Sequence, residues 1–252
     1  HANLIALRFN PVAVELTDDR ILSLTKDNLS QRENRFFIEG DPGAIMIVEF
    51  AFHSEEETDS AAAGLINALR AAGYGYSYPV VKGNDMKKVW ALRKAGLGIL
   101  GNMKGDRRPV SLVEDTSVKV EDLPAYMREF SEMLSSYGKD SVYHAHIGTG
   151  ELHLRPVLNL KDPADVELFR TIGLETARLV KKYRGSLSGE HGDGRLRGEF
   201  IPLMLGEHNY GILRRIKKCW DPGNILNPGK ITDTPSMNTR LRYEPGMVTR
   251  EI

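Results

Sequence analysis

Residues 143–156, YHAHIGTGELHLRP, set three histidines around a Gly-Thr-Gly bend, and the reading of this stretch decides the fold. Taken as a β-hairpin with Thr149-Gly150 as a two-residue loop, it pairs Gly148 with Glu151, Ile147 with Leu152 and His146 with His153. Side chains alternate between the faces of a strand, so Tyr143, Ala145, Ile147, Leu152, Leu154 and Pro156 share an apolar face. His144, His146, Glu151, His153 and Arg155 share the other. The apolar face suits a core and leaves the histidine face toward a cleft. Directly opposed residues have Cβ atoms about 4.5–5.5 Å apart, close enough for His146 and His153 to share one metal ion. By itself such a pair is more often polar cover on a solvated sheet, and a third ligand elsewhere changes the balance.

On either side of the hairpin, strands alternate with helices. "PVAVELTDD" (11–19) and "GAIMIVEFAF" (43–52) read as strands, and the apolar run of the second predicts a central position. "SEEETDSAAAGLINALRAAG" (54–73) is a helix with an acidic first turn and a glycine stop. "YSYPVV" (76–81) predicts a short strand, and "NDMKKVWALRKAG" (84–96) a helix capped by Asn84 and ended by Gly96. "PVSLVEDTSVKV" (109–120) predicts a strand; 120–138, 162–185 and 200–220 predict helices. The pattern predicts an α+β fold, a largely antiparallel sheet with helices packed on one side, built from two ferredoxin-like split β-α-β units. No Gly-x-Gly-x-x-Gly follows a strand and opens a helix, so no nucleotide-binding half is visible.

Bulk properties narrow the function classes. A chain of 252 residues with 41% hydrophobic and 27% charged content has the composition of a globular protein with a substantial core. Lysine plus arginine equals aspartate plus glutamate, 34 against 34, so no global field draws nucleic acid or anionic membrane. The single cysteine, Cys219, excludes an intrachain disulfide framework and a cysteine-rich zinc or iron–sulfur site within this segment. No apolar run reaches membrane-spanning length, and no secretory leader is seen. The chain opens at His1 inside an apparent element and is expected to be a piece of a longer protein.

A second candidate site lies in "SGEHGDG" (188–194), where three glycines let the backbone turn and approach a ligand. Glu190 and His191 are adjacent and, in extended backbone, point opposite ways. One is then available to a metal and the other to a substrate, although a polar turn between helices explains the stretch equally well. His146, His153 and Glu190 together form a two-histidine, one-carboxylate set with open coordination positions. It suits catalytic zinc and, with more open positions, iron or manganese.

"HIGTGELH" (146–153), "GEHGDG" (189–194) and "DPGNILNPGK" (221–230) occur in the order and spacing of signature segments of FAD-linked oxidases of the vanillyl-alcohol-oxidase type. The resemblance is to the branch with glycolate oxidase, D-lactate dehydrogenases and D-2-hydroxyglutarate dehydrogenase. It implies that residues 1–231 are the C-terminal substrate or cap domain, with FAD held mainly by an N-terminal domain of the same parent chain. Residues 232–252 resemble the joint that leads to an iron–sulfur domain in longer members. The resemblance further implies that His146, His153 and Glu190 hold a divalent metal, zinc first. His191 takes the proton from the substrate hydroxyl, Arg93 receives the substrate carboxylate, and Asn227 and Lys230 run near the flavin. The reaction implied is hydride transfer from C2 of a small D-2-hydroxy acid such as glycolate or D-lactate to FAD. The domain alone is expected to be inactive. An iron–sulfur domain or subunit would accept electrons, in the cytoplasm or at the inner membrane surface.

Thr149, Glu151 and Asp193 depart from the commonest family pattern and add two carboxylates near the site, so the usual substrate does not transfer directly. Two other readings stay open. One is a ferredoxin-like metal- or ligand-binding regulatory module; the other is metal-dependent hydrolysis, in which "DPGNILNPGK" has no evident role.

Overall fold

The computed structural model describes residues 1–248. Its strands are β1 (Ala13–Asp18), β2 (Ala44–Glu49), β3 (Arg108–Pro109), β4 (Thr116–Ser117), β5 (Ser141–His146) and β6 (Glu151–Leu158). The helices are α1 (Ala2–Ala6), α2 (Asp19–Lys26), α3 (Glu55–Ala71), α4 (Met86–Ile99), α5 (Leu123–Ser136), α6 (Pro163–Lys182), α7 (Ile201–Leu205) and α8 (Glu207–Trp220). They fall into two compact units. The first is His1–Lys104 with Val142–Leu152, and the second is Gly105–Ser141 with the chain from His153 onward.

In the first unit β1 pairs antiparallel with β2, in the register Val14↔Val48 and Leu16↔Met46. On its other side it pairs antiparallel with β5, through Leu16↔Ala145 and Thr17↔His144. Alternation puts Val14 on the face that packs with Ala6 of α1 and Leu65 and Leu69 of α3. Glu15 and Thr17 are left on the opposite face. β2 lies at the sheet edge, not at its centre as its apolar run predicted. The apolar run reflects side chains turned to α3 on one face and half-buried on the other, which composition alone does not distinguish from a central strand.

Local chemistry sets the helix ends. Asp18 closes β1 and caps α2, its carboxylate accepting from the amides of Ile21 (3.0 Å) and Tyr143 (2.7 Å). Ser54 caps α3 by accepting from the Glu57 amide at 3.1 Å. α4 behaves differently from its sequence reading: it has no side-chain cap and runs through Gly96 to Ile99. Gly96 is a packing position, because a Cβ there would stand 2.7 Å from Cγ2 of Ile21.

The hairpin turn takes in Ile147–Gly150, four residues where two were expected. The Gly148 amide donates to the Val14 carbonyl of β1 at 3.0 Å, and the Thr149 amide to the His146 carbonyl at 3.0 Å. β1 therefore holds the turn open. Position 148 is crowded: a Cβ there would lie 3.2 Å from that of Val14.

In the second unit β6 pairs antiparallel with β3 and also with β4. Tyr126, Phe130 and Leu134 of α5, Ile172 and Val180 of α6, and Leu154 and Leu158 of β6 are buried at its core. Stretch 109–120, expected as one strand, gives only the short β3 and β4. Between them Asp115 takes a left-handed conformation, φ +86°, that no continuous strand accommodates. The helical stretch 200–220 breaks at Gly206, φ +81°, into α7 and α8. Beyond α8 the chain packs back: Met237 is buried, its amide donating to Glu199 at 2.8 Å, and Thr234 contacts Gly198. The tail expected from 232 onward is thus seated on this unit as far as Thr239, whose carbonyl accepts from Arg195. Residues 249–252 lie outside the described residues.

Candidate functional site

The loop that carries Glu190 and His191 is held from below by one buried carboxylate. Asp115 accepts from the amides of Glu190 (2.8 Å) and His191 (2.9 Å) and from Oγ of Ser188 (2.5 Å). Its carbonyl accepts from the Gly189 amide at 2.7 Å. Arg197 completes the staple, donating to the carbonyls of Glu114 and Gly192, each at 2.7 Å. The left-handed turn at Asp115 is what aims its carboxylate at these successive amides, so the loop is fixed by charge-assisted bonds.

Above this floor four side chains of the second unit converge. Oε1 of Glu190 lies 3.2 Å from Nε2 of His191 and 3.6 Å from Nε2 of His153. The two imidazoles stack, with centroids 5.4 Å apart and planes inclined by 16°. Nδ1 of His191 faces Oε1 of Glu114 at 3.8 Å, and Glu114 is itself paired to Arg155 at 2.5 Å. Glu114, His153 and His191 bring one potential ligand atom each within 4.8 Å of one another, as do Asp115, Glu190 and His191. Burial raises the Asp193 carboxyl above its ordinary range. Arg197 opposes that shift, and Asp115 adds to it.

In the first unit a buried glutamate organises the other two predicted residues. Glu15 accepts from Nε of Arg93 at 3.0 Å and lies 2.7 Å from its Nη2. Its second oxygen meets Nδ1 of His146 at 2.8 Å. A carboxylate at Nδ1 favours the tautomer that carries its proton there. Arg93, the residue expected to receive a substrate carboxylate, is engaged along its Nε–Nη2 edge. The expected histidine face is also less open than alternation implied. His144 and His153 are each 4% exposed and Glu151 9%, whereas the His146 side chain keeps 36%.

Asn227 and Lys230 sit on the turn after α8, Nζ of Lys230 donating to Oδ1 of Asn227 at 3.2 Å. Asp221 builds that turn by accepting from the amides of Ile225 (2.9 Å) and Leu226 (2.8 Å) and from Lys217 (2.5 Å). These partners hold its carboxyl down at about 2, the Lys217 bond contributing most. Trp220, Ile225 and Leu226 stand exposed around it.

Residues 2–231 match the family described as FAD linked oxidases, C-terminal domain. The chain belongs to that family. As a member of the FAD-linked oxidase C-terminal family it is 35% identical over 228 residues to D-2-hydroxyglutarate dehydrogenase of Pseudomonas putida, covering 88% of this chain and 22% of that protein. It is 27% identical to D-lactate dehydrogenase of Archaeoglobus fulgidus over 90% of this chain and 47% of that one. The glycolate oxidase protein GlcD of Bacillus subtilis is 24% identical over 55% of this chain and 29% of its own. The chain spans about a fifth of the length of the first of these relatives. A solved structure, 4-ethylphenol oxidase from Gulosibacter chungangensis, shares the fold, with a TM-score of 0.56 at 14% identity over 88% of this chain and 48% of that one.

Sequence reasoning missed Asp115, Glu114, Arg197 and Glu15. Nothing in "LVEDTSV" separates its acids from surface acids, since what marks them is burial against a loop 75 residues further along the chain. Glu15 had a usable signal: it is an acid set between the apolar Val14 and Leu16 inside a strand.

Proposed function

We propose that this chain is the substrate-side domain of a flavin-dependent enzyme that oxidises a D-2-hydroxy acid. The observation that carries the reading is the Glu190 carboxylate poised between two imidazoles on a loop pinned by Asp115. Family membership and the activities of the relatives support the same conclusion. D-2-hydroxyglutarate is the first substrate to try, then D-lactate and glycolate.

A divalent ion fits the donor set, because imidazole nitrogens and carboxylate oxygens suit zinc. His153 and Glu190 would hold it, with His146 proposed as the third ligand. The ion, when bound, would polarise the substrate hydroxyl. His191 would accept the hydroxyl proton, its ring set between Glu190 on the Nε2 side and Glu114 on the Nδ1 side. Arg93 would take the substrate carboxylate on the guanidinium edge away from Glu15, which fixes the orientation of C2. FAD, bound mainly by another domain of the parent polypeptide, supplies the two-electron acceptor. The exposed Trp220, Ile225 and Leu226 beside Asn227 and Lys230 give an apolar surface for that domain to cover. An iron–sulfur domain or subunit is the proposed onward acceptor. No helix among the described residues is long and apolar enough to cross a membrane; the proposed setting is the cytoplasm or the inner membrane surface.

The test is anaerobic flavin bleaching in the parent polypeptide across a panel of D-2-hydroxy acids. His191→Ala and His146→Ala should each abolish bleaching with flavin content unchanged. Undiminished bleaching in His191→Ala would remove it from the role of base. A panel with no bleaching substrate would sink the reading itself.

A further inference from the structure

Glu114 and Asp115 are successive acids whose side chains reach one target. In extended backbone they would point to opposite faces of a strand. The left-handed turn at Asp115, φ +86°, brings them together. Asp115 accepts from the His191 amide at 2.9 Å, and Oε1 of Glu114 faces Nδ1 of the His191 ring at 3.8 Å. One acid thus holds the backbone of His191 while the other stands at its imidazole.

Glu114 is held where it stands. Its carbonyl accepts from Arg197, and its Oε2 meets Nη2 of Arg155 at 2.5 Å. Nε of Arg155 is buried with no hydrogen-bond partner among the described residues, so the pair meets end-on and Oε1 is left toward His191. Arg155 lies two residues from His153 on β6 and shares its face, and the His153 ring stacks on that of His191. His153, His191, Glu114 and Arg155 therefore close a circuit inside the second unit. Of the two acids beside the His191 ring, Glu190 keeps 46% of its side chain exposed and Glu114 only 9%. Burial and an ion pair fix the second of them. A fixed carboxylate at one ring nitrogen sets the tautomer and orientation of an imidazole. At 3.8 Å the contact is longer than a hydrogen bond, and contacts of this kind commonly tighten when substrate binds. Neutralising Arg155 explains why an acid is buried here, but not why its second oxygen faces His191.

We propose that Glu114 is a positioning residue for His191. Its carboxylate fixes the tautomer and the ring orientation with which His191 meets the substrate hydroxyl, and Arg155 keeps that carboxylate in place. The catalytic half of this proposal rests on the flavin reading above. The geometric half, control of one imidazole by one carboxylate, is measurable without flavin or substrate.

The test compares Glu114→Gln with a double variant, Glu114→Gln plus Arg155→Met. The single change strands a buried arginine charge, and the double change does not. Glutamine keeps the shape of Glu114 but can turn either a donor or an acceptor to the ring, so it selects no tautomer. In the parent polypeptide both variants should bleach flavin about 10–100-fold more slowly at saturating substrate, with half-saturation within about twofold of wild type. In the 252-residue chain labelled with 15N-histidine, His191 should show one dominant tautomer, its proton on Nδ1, and a mixed population in both variants. A wild-type rate in the double variant would overturn the proposal, since the loss in the single variant would then belong to the stranded arginine. Zinc affinity falling in step with the rate would overturn it too, because Glu114 would then act on the metal set and not on His191. Imidazole signals that neither variant moves would remove Glu114 alone, whereas a wild-type polypeptide bleached by no D-2-hydroxy acid would sink the flavin reading and the catalytic use of Glu114 together.

Discussion

Asp115 is buried, left-handed and bonded to two successive amides, a hydroxyl and an arginine, all within one unit. Removing its carboxylate strands the Arg197 charge and leaves those donors without an acceptor. Asp115→Ala should cost about 3–5 kcal/mol in denaturant unfolding and abolish flavin bleaching in the parent polypeptide. A loss below about 1 kcal/mol, the size of an ordinary hydrogen bond, would show the loop is held elsewhere. Glu15 works differently, because its two oxygens serve Arg93 and His146 separately. Glu15→Gln preserves shape but surrenders the charge that sets the imidazole tautomer. Zinc affinity measured by calorimetry should fall about 10–100-fold, and an unchanged affinity would take His146 out of the metal set. These two acids mark where sequence reading stops. The histidines and Glu190 announce themselves by spacing, whereas Asp115 and Glu15 acquire their roles only when folding buries them beside a partner far along the chain.

Elements show the same division. α3 and α6 follow from their periodicity, acidic first turns and caps, and α5 from its periodicity, because these causes lie in or beside the element. α4 does not, since Gly96 reads as a stop and is in fact the seat of Ile21. Two glycines in that helix thus predict opposite outcomes. Gly98 has open space around a would-be Cβ, so Gly98→Ala should stabilise by about 0.5–1 kcal/mol through helix propensity. Gly96→Ala should destabilise by about 1–2 kcal/mol despite the same propensity gain, because overpacking against Ile21 outweighs it. Thermal midpoints of the two variants moving the same way would refute the distinction. Likewise the turn at 221–230 was legible as a turn, but not the use of Asp221 as its anchor.

For the molecule as a whole, the shifted carboxyls give stability a defined response to acid. Asp221 has its folded pKa depressed to about 2, so its contribution is complete above the unfolded value near 3.8 and disappears as pH falls through about 2. Asp193 and Asp18 have raised folded pKa values, burial being the main cause in each. Their ionisation therefore costs stability as pH rises from 3.8 through the folded value. Asp193→Asn should raise the unfolding midpoint at about pH 7 and leave it unchanged near pH 3, where both states are protonated. A gain of equal size at both pH values would place the effect outside titration. The α+β class and antiparallel pairing were readable from alternation, but the edge position of β2 was not, because strand order is a long-range property.

The first unit borrows Val142–Leu152 from beyond a stretch that belongs to the second. During synthesis, Leu16 and Thr17 must wait for Ala145 and His144 before β1 gains its second neighbour. Some 130 residues of nascent chain therefore leave the ribosome between β1 and the strand that pairs with it. In the interval that edge of β1 stands unpaired, a natural footing for a chaperone and a reason to expect slow maturation.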